Sequence, residues 1–380
     1  MPWSVRLVLV TQDFVPRRGG IQTWALEISR FFAKRCEDFA VIAPRAEGAE
    51  QADRALDFRV IRAGTPNTLI AAAAPALARL CSRERFDHTL HAQWSTAPAA
   101  LHLRGRGKLA HVTVAAHGRE LLLEPWKKLG PLQRGYDLVR RRALVSADRI
   151  LAGSAFTAGL ARALGVADER IRVIGYGTDP SRFRPADVSA LKARLGVGSR
   201  PLLVTVSRLV SRKGIDTVIE ALPRIRERVP EVLYLIAGEG PDRARLEALC
   251  ERRGVLSHVR FAGGVEEAEL PLWFSLGDVF VMPSRSDGAD VEGFGIVFLE
   301  ASAAGRPVVA STAGGIPDAV AEGVSGLLVP PDDPARLAER VTELLSDPAR
   351  ATDLGQRGRE RVLAEFTWQA VGERTLAAMA

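Results

Sequence analysis

Apolar and polar positions along this chain fall into two patterns that take turns from end to end. Short, nearly continuous apolar runs are what a parallel sheet covered on both faces would bury. They occur at Val5–Val10, Phe39–Ala43, Phe58–Arg62, His88–Ala92, His111–Ala116, Arg149–Ala152 and Ile171–Ile174. A second series follows at Leu202–Val206, Val232–Ala237, Val259–Ala262, Val279–Met282 and Val308–Ala310. Between the runs lie stretches that read as helices, at Gln22–Ala33, Thr65–Leu80, Leu132–Ser146, Ser154–Leu164, Ile215–Arg228, Arg243–Arg253, Glu267–Leu276 and Thr367–Met379. Strand alternating with helix throughout predicts the α/β class, as two doubly wound, Rossmann-like domains facing across a cleft. The turn-rich segment Gly175–Pro185 is the expected junction. It divides the chain into 1–184 and 185–365, with 366–380 crossing back onto the first domain.

Each strand of such a sheet delivers its following loop to one edge, where ligands of open α/β sheets bind. The first strand leads to Gly19-Gly20-Ile21, a glycine pair before a helix whose free N–H groups favour an anion. This is neither Gly-x-Gly-x-x-Gly nor a phosphate loop with Gly-Lys-Ser/Thr. His117-Gly118 ends the strand His111–Ala116. Arg208 and Lys213 share one strand-to-helix loop, five positions apart, where two cations would neutralise a departing diphosphate. The stretch Glu292-Gly293-Phe294-Gly295-Ile296-Val297-Phe298-Leu299-Glu300 reads as a glycine-loosened turn feeding a short buried helix. Its glycines allow close approach to a ligand, and its two carboxylates, eight positions apart, would lie slightly over two helical turns from each other. One acid near a sugar and one near a ribose would fit that separation. Plainer readings stand beside these: a capped core helix, two exposed basic residues, a structural histidine.

Composition narrows the partners. At 380 residues with 47% apolar content the chain has room for two cores, and its 6% aromatic share offers no stacking surface for nucleic acid. No run of about 18 uncharged apolar residues is present, and the start shows no basic–apolar–small leader. Three scattered cysteines, Cys36, Cys81 and Cys250, suit a reducing cytoplasm. There is no Asp-x-Asp, and the histidines are dispersed, so charge compensation by side chains is expected and a metal cofactor is not. Between Arg104 and Arg149 stand 11 Lys/Arg against 4 Asp/Glu, an excess equal to the net charge of +7 of the whole chain. With Trp126-Lys127-Lys128-Leu129 and Arg140-Arg141-Arg142, that stretch is a candidate contact for an anionic membrane surface or acceptor.

Taken together, the motifs resemble glycosyltransferase family 4, retaining enzymes of the GT-B fold. The resemblance is carried by Gly19-Gly20-Ile21, His117-Gly118, Val206-Ser207-Arg208-Leu209 through Lys213-Gly214, Ala237-Gly238-Glu239-Gly240, Phe261-Ala262-Gly263, Met282-Pro283-Ser284, Glu292 to Glu300, and Gly314-Gly315-Ile316-Pro317. It implies that Glu300 binds the ribose of a nucleotide-sugar donor and that Arg208 and Lys213 bind its diphosphate. It also implies that Glu292, with the backbone of Gly293, Phe294, Gly295 and Ile296, holds the donor sugar. Gly19 and Gly20 would bring amides to the phosphates, His117 would line the reaction centre, and Gly263 would lie near the base. Domain closure over the donor follows from contacts contributed by both halves.

Asp13-Phe14-Val15-Pro16 and Asp290 to Glu300 are further similar to bacterial phosphatidylinositol mannoside mannosyltransferases. By that resemblance the donor is GDP-mannose and the acceptor a glycolipid at the inner membrane face, with front-face attack and the leaving phosphate as base. A UDP-sugar with a soluble sugar or polyol acceptor is the alternative within the family. A nucleotide-sugar epimerase of the same architecture is the alternative outside it. A dehydrogenase is disfavoured by the missing dinucleotide fingerprint.

Overall fold

The computed structural model describes residues 3–17, 19–122, 131–288 and 290–380. The chain separates into two compact units, one running to Tyr176 and including Trp368–Ala380, the other spanning Gly177–Thr367. The expected cluster Trp126–Leu129 and the residue Arg18 lie outside the described residues.

The first unit is built on seven parallel strands, β1 (Trp3–Val10), β2 (Cys36–Ala43), β3 (Arg59–Arg62), β4 (His88–His91), β5 (His111–Ala116), β6 (Arg149–Ala152) and β7 (Ile171–Val173). They lie in the order β3-β2-β1-β4-β5-β6-β7. Leu9 of β1 pairs with Val41 on one side and Leu90 on the other, so the middle of β1 meets no water. Burial on both sheet faces as well is why the stretch Leu7–Val10 is apolar and does not alternate. Leu77 and Leu80 of the helix Leu69–Arg83 join Val8 and Val10 in the core on one face. Ser154 caps the helix Ala155–Ala163 by accepting from the Thr157 amide at 3.2 Å. The last helix, Trp368–Met379, packs on the helix Gly20–Ala33. Gly372 passes so close to Phe31 that an added Cβ would lie 2.3 Å from its ring, and Arg35 pairs with Glu373.

The second unit carries six parallel strands, β8 (Leu202–Val206), β9 (Leu233–Ala237), β10 (Val259–Gly263), β11 (Val279–Met282), β12 (Val308–Ser311) and β13 (Gly326–Val329), in the order β10-β9-β8-β11-β12-β13. Leu203, Tyr234, Ile236 and Val281 pack with residues of the helices Ile215–Arg226 and Pro334–Ser346. Chain order runs outward from β8 to β10, then returns to the middle and runs the other way from β11 to β13. Neighbouring strands β8 and β11 therefore send their loops to opposite faces and leave a crevice at their carboxyl ends. The first unit reverses in the same way between β1 and β4.

Element boundaries differ from the sequence expectation where side chains take over from the apolar pattern. Thr65–Thr68 form a turn, with the Thr68 hydroxyl accepting from the Thr65 amide at 2.8 Å, and the helix begins at Leu69. The compact units part at Tyr176/Gly177 and Thr367/Trp368, against 184/185 and 365/366 in the sequence reading. Residues 177–184 go with the second unit because the Thr178 amide donates to the Phe366 carbonyl at 2.8 Å and Phe183 packs edge-on against Phe274. The largest correction concerns Glu292–Glu300. The helix begins only at Ile296, capped by Gly295, so the two carboxylates are separated by a turn and one helical turn and not by two turns of helix.

Glycine lets the loops at this crevice approach closely. Gly214, the residue before the helix Ile215–Arg226, has φ +68°, and a Cβ there would come within 2.1 Å of the Pro283 carbonyl oxygen in the loop after β11. Gly214→Ala is expected to destabilise the protein by about 1–3 kcal/mol through strain and clash. Denaturant unfolding checks this, and an unchanged midpoint would show that the two loops relax apart freely.

Candidate functional site

The β8 loop and the β11 loop meet through charge. Lys213 and Arg212 both bond Oε2 of Glu292, Arg212 through Nη1 at 2.6 Å. The Arg212 Nε also reaches Asp290 Oδ2 at 3.3 Å. The Glu292 side chain is 14% exposed, Lys213 10% and Arg212 18%, so the cluster is nearly out of water. Burial would raise the Glu292 carboxyl, but Lys213 and Arg212 outweigh it and hold the group at about 2. Burial and the Arg212 charge lower Lys213, with Glu292 opposing them.

The backbone of Glu292 is fixed from a third loop. The Gly315 amide donates to the Glu292 carbonyl at 2.9 Å, and a Cβ on Gly314 would lie 2.4 Å from the same oxygen. Glu292 Oε2 is thus occupied twice, while Oε1 has no partner among the described residues. Arg208, on the same loop as Lys213, is exposed and its guanidinium makes no ion pair among the described residues.

Glu300 is the opposite case. It lies half-buried in the helix Ile296–Ala303 and makes no ion pair among the described residues. Burial raises its carboxyl to about 7, with Arg182 opposing the rise and Glu267 adding to it. Such a group takes or gives a proton near neutrality and can accept from paired hydroxyls once ionised.

In the first unit, His117 is buried. Its Nδ1 bonds the Tyr176 hydroxyl, and Trp24 packs edge-on against its ring at 5.2 Å. The His117 amide donates to Glu120 Oε1. Burial lowers its pKa, against the pull of Glu120, the Ala92 carbonyl and Asp13, so the ring is neutral. Gly19 precedes the helix Gly20–Ala33, and Gln22 in its first turn bonds Asp13 Oδ1 at 2.9 Å, while Gln93 bonds Oδ2 at 3.1 Å.

Comparison with known proteins gives the family. Residues 18–182 match the model for Glycosyltransferase Family 4, and residues 188–361 match that for Glycosyl transferases group 1. A Mycobacterium tuberculosis strain H37Rv protein, named GDP-mannose-dependent alpha-(1-6)-phosphatidylinositol monomannoside mannosyltransferase, is 40% identical over 97% of this chain and 96% of its own length. The chain belongs to glycosyltransferase family 4. A Corynebacterium glutamicum relative, named for the monoacylated form of the same acceptor, is 33% identical over 98% of this chain and 97% of its own. Among solved structures, Anabaena HepE with UDP shares the fold at TM-score 0.81 and 20% identity, covering 98% of this chain and 99% of that one. The fold is accordingly GT-B, with its two Rossmann-like domains.

In this glycosyltransferase the structure brings Lys213 and Glu292 into direct contact and puts Arg208 on the same loop. Glu300 stands apart from that cluster, with Arg182 and Glu267 as its charged surroundings. Phe294 is buried against Phe366, with ring centroids 6.0 Å apart, so it presents only backbone. Gly295 avoids the ring of Phe298, 2.4 Å from where its Cβ would be, so its first use is internal packing. Gly293 and Ile296 complete the turn, and Gly263 closes β10, its carbonyl accepting from the Gly238 amide at 2.7 Å. Two participants were not singled out in the sequence. Arg212 lies inside the stretch from Val206 through Gly214, next to Lys213. Tyr176 stood in the junction, and nothing in the pattern tied it to His117.

Glu300 yields a test that separates stability from binding. Its folded pKa of about 7 lies above the ordinary 4.5, so the folded state loses stability as pH rises from about 4.5 through 7 and does not recover it above. Glu300→Gln is expected to be more stable than wild type at pH 8, with the difference gone near pH 4, and yet to bind donor less well. Thermal unfolding across this pH range checks the first part, and a pH-independent difference would show that Glu300 is already ionised.

Proposed function

We propose that this glycosyltransferase moves mannose from GDP-mannose to a hydroxyl of a phosphatidylinositol mannoside, with retained anomeric configuration. The observation that carries the reading is the Lys213–Glu292 pair at the β8/β11 switch point, in a chain similar along its whole length to transferases named for that donor and acceptor. In this scheme the bond from the sugar C1 to the diphosphate oxygen breaks while the acceptor oxygen bonds C1 on the same face. The acceptor proton passes to the departing phosphate. The transition state is oxocarbenium-like, and charge grows on the leaving oxygen.

Arg208 and Lys213 meet that growing charge, which favours the transition state over the bound substrate. Glu292 Oε1 accepts from sugar hydroxyls, and Gly293 to Ile296 add backbone amides. Glu300 accepts from the ribose, releasing its proton as it does so, and Gly263 borders the base. The roles of Gly19, Gly20 and His117 belong to the same proposal and rest on the resemblance. A neutral His117 suits a neighbour of uncharged hydroxyls. Side chains supply the charge compensation here, so turnover should persist in the presence of a chelator.

For the acceptor side, the helix Pro131–Ser146 offers a physical basis for a lipid surface. Leu138, Val139 and Val145 are exposed at 50%, 48% and 37%, and Arg134, Arg141 and Arg142 stand exposed beside them. Positions 134, 138, 141, 142 and 145 share one helical face. That mixture of apolar and cationic groups fits anionic headgroups over acyl chains. Among the described residues no helix is long and apolar enough to cross a membrane, so we read the association as peripheral, on the inner face.

Lys213→Ala is expected to lower kcat by about two orders of magnitude. Transfer of radiolabelled mannose from GDP-mannose measures it, and an unchanged kcat removes the role. Thermal-shift comparison of GDP-, UDP- and ADP-sugars tests the donor, and selective stabilisation by UDP-sugars would replace GDP-mannose. Sugar isomers formed without acceptor would instead mark an epimerase. On the membrane side, Arg142→Ser is expected to weaken binding to phosphatidylglycerol vesicles about fivefold, with neutral phosphatidylcholine vesicles as control. Equal binding by both proteins would dismiss this helix as the contact.

A further inference from the structure

Lys213 is asked to do two things at once. In the structure it holds Glu292, and in the proposed reaction it must turn to a diphosphate. A diphosphate carries more negative charge than a carboxylate and competes for the ammonium. Lys213 has no side-chain partner among the described residues besides Glu292. If it were the sole cation there, its departure would leave a carboxylate that is 14% exposed without compensation. Such a group takes up a proton, and a protonated acid is a poor acceptor for sugar hydroxyls.

Arg212 changes that outcome. It bonds the same oxygen as Lys213, at 2.6 Å, and is steadied by Asp290 at 3.3 Å through its Nε. Its backbone is also fixed, since the Arg285 amide donates to the Arg212 carbonyl at 2.8 Å. Arg285 in turn pairs with Asp332 at 2.6 Å and with Asp216. An arginine fork held on both sides stays in place and stays charged when a neighbouring lysine moves. We infer that Arg212 is the positioning residue for the donor sugar: it keeps Glu292 charged and aimed when the diphosphate draws Lys213 away.

This inference rests on the reading of Glu292 as the sugar-binding carboxylate, and the experiment keeps the two apart. The charged groups around Glu292 are Lys213 and Arg212, with Asp290 behind Arg212. Arg212→Gln, Arg212→Lys and Glu292→Gln are compared with wild type for the Kd of GDP, the Kd and KM of GDP-mannose, and the pH profile of kcat/KM. Arg212→Gln is expected to leave GDP binding within about twofold and to weaken GDP-mannose about tenfold or more, the scale of one charge-assisted hydrogen bond. Its acid limb should move toward neutral, because loss of a cation raises the Glu292 carboxyl. Arg212→Lys should recover part of both effects.

Equal losses for GDP and GDP-mannose in Arg212→Gln, or an acid limb that stays put, would overturn the inference and leave a structural role. If Arg212→Gln does not fold, the acid limb of Arg212→Lys decides, since a lysine cannot span Glu292 and Asp290 together. If Glu292→Gln binds GDP-mannose as wild type does, the sugar-binding reading itself fails. If Glu292→Gln is impaired and Arg212→Gln is not, only the inference fails.

Discussion

A carboxylate nearly withdrawn from water, with two cations on one of its oxygens, is the constraint on which the loops at the carboxyl edge of the second unit's sheet depend. Taking three charges into such a place is costly, and mutual attraction offsets this only when the geometry is tight. Glu292 meets Arg212 and Lys213 at bonding distance because the loops after β8, β11 and β12 are pressed together. Gly214 against Pro283 and Gly314 against the Glu292 carbonyl are where that pressing occurs. The glycines therefore serve the charge cluster, and the cluster in turn ties three loops that no strand pairing joins. A hydrophobic contact of equal area would stabilise the loops as well, but it would not leave Oε1 free to accept.

The two acids of the stretch from Glu292 to Glu300 differ in ionisation because their environments differ. One is ionised well below neutrality by its cations, the other is raised to about 7 by burial without an ion-pair partner. A permanently ionised acid is preorganised for a substrate that must be held while charge moves beside it. In the proposed binding role, an acid that titrates near neutrality loses its proton as the ligand's hydroxyls donate to it, so binding and proton release are linked. These properties follow from position: Glu292 is in a turn facing a cationic loop, and Glu300 is inside a helix where Phe298, Leu299, Ala301, Ser302 and Ala303 are buried.

Much of this was legible in the sequence because a parallel sheet writes itself as apolar runs. Strands β5, β6, β8 and β11 fall on the residues their runs indicated. Where a polar side chain redirected the backbone, the pattern could not say so, as with the Thr65–Thr68 turn before Leu69. Lys213 and Glu292 were legible as loop residues of the same sheet edge, but their contact was not, since it spans 79 positions. Arg212 escaped notice because adjacent basic residues look alike until one sees which of them is anchored. The error over Glu292 and Glu300 had a simple cause: a helical period was extended through Gly293 and Gly295, where the chain turns.

Charge is arranged differently at two places in the chain, and the difference has a physical consequence. In the second unit's cluster, Arg212 and Lys213 are compensated by Glu292 and Asp290, and Arg208 makes no ion pair among the described residues. Paired, buried charges exert little field at a distance and discriminate by shape at contact. In the first unit, Arg134, Arg141 and Arg142 stand at the surface beside exposed leucine and valine. Unburied cations attract any anionic surface over about a Debye length and select weakly among them. The proposed transfer from a small soluble donor to a lipid-borne acceptor would use one of each: a site that is exacting about a molecule it meets in solution, and a face that is indifferent to which lipid it meets first.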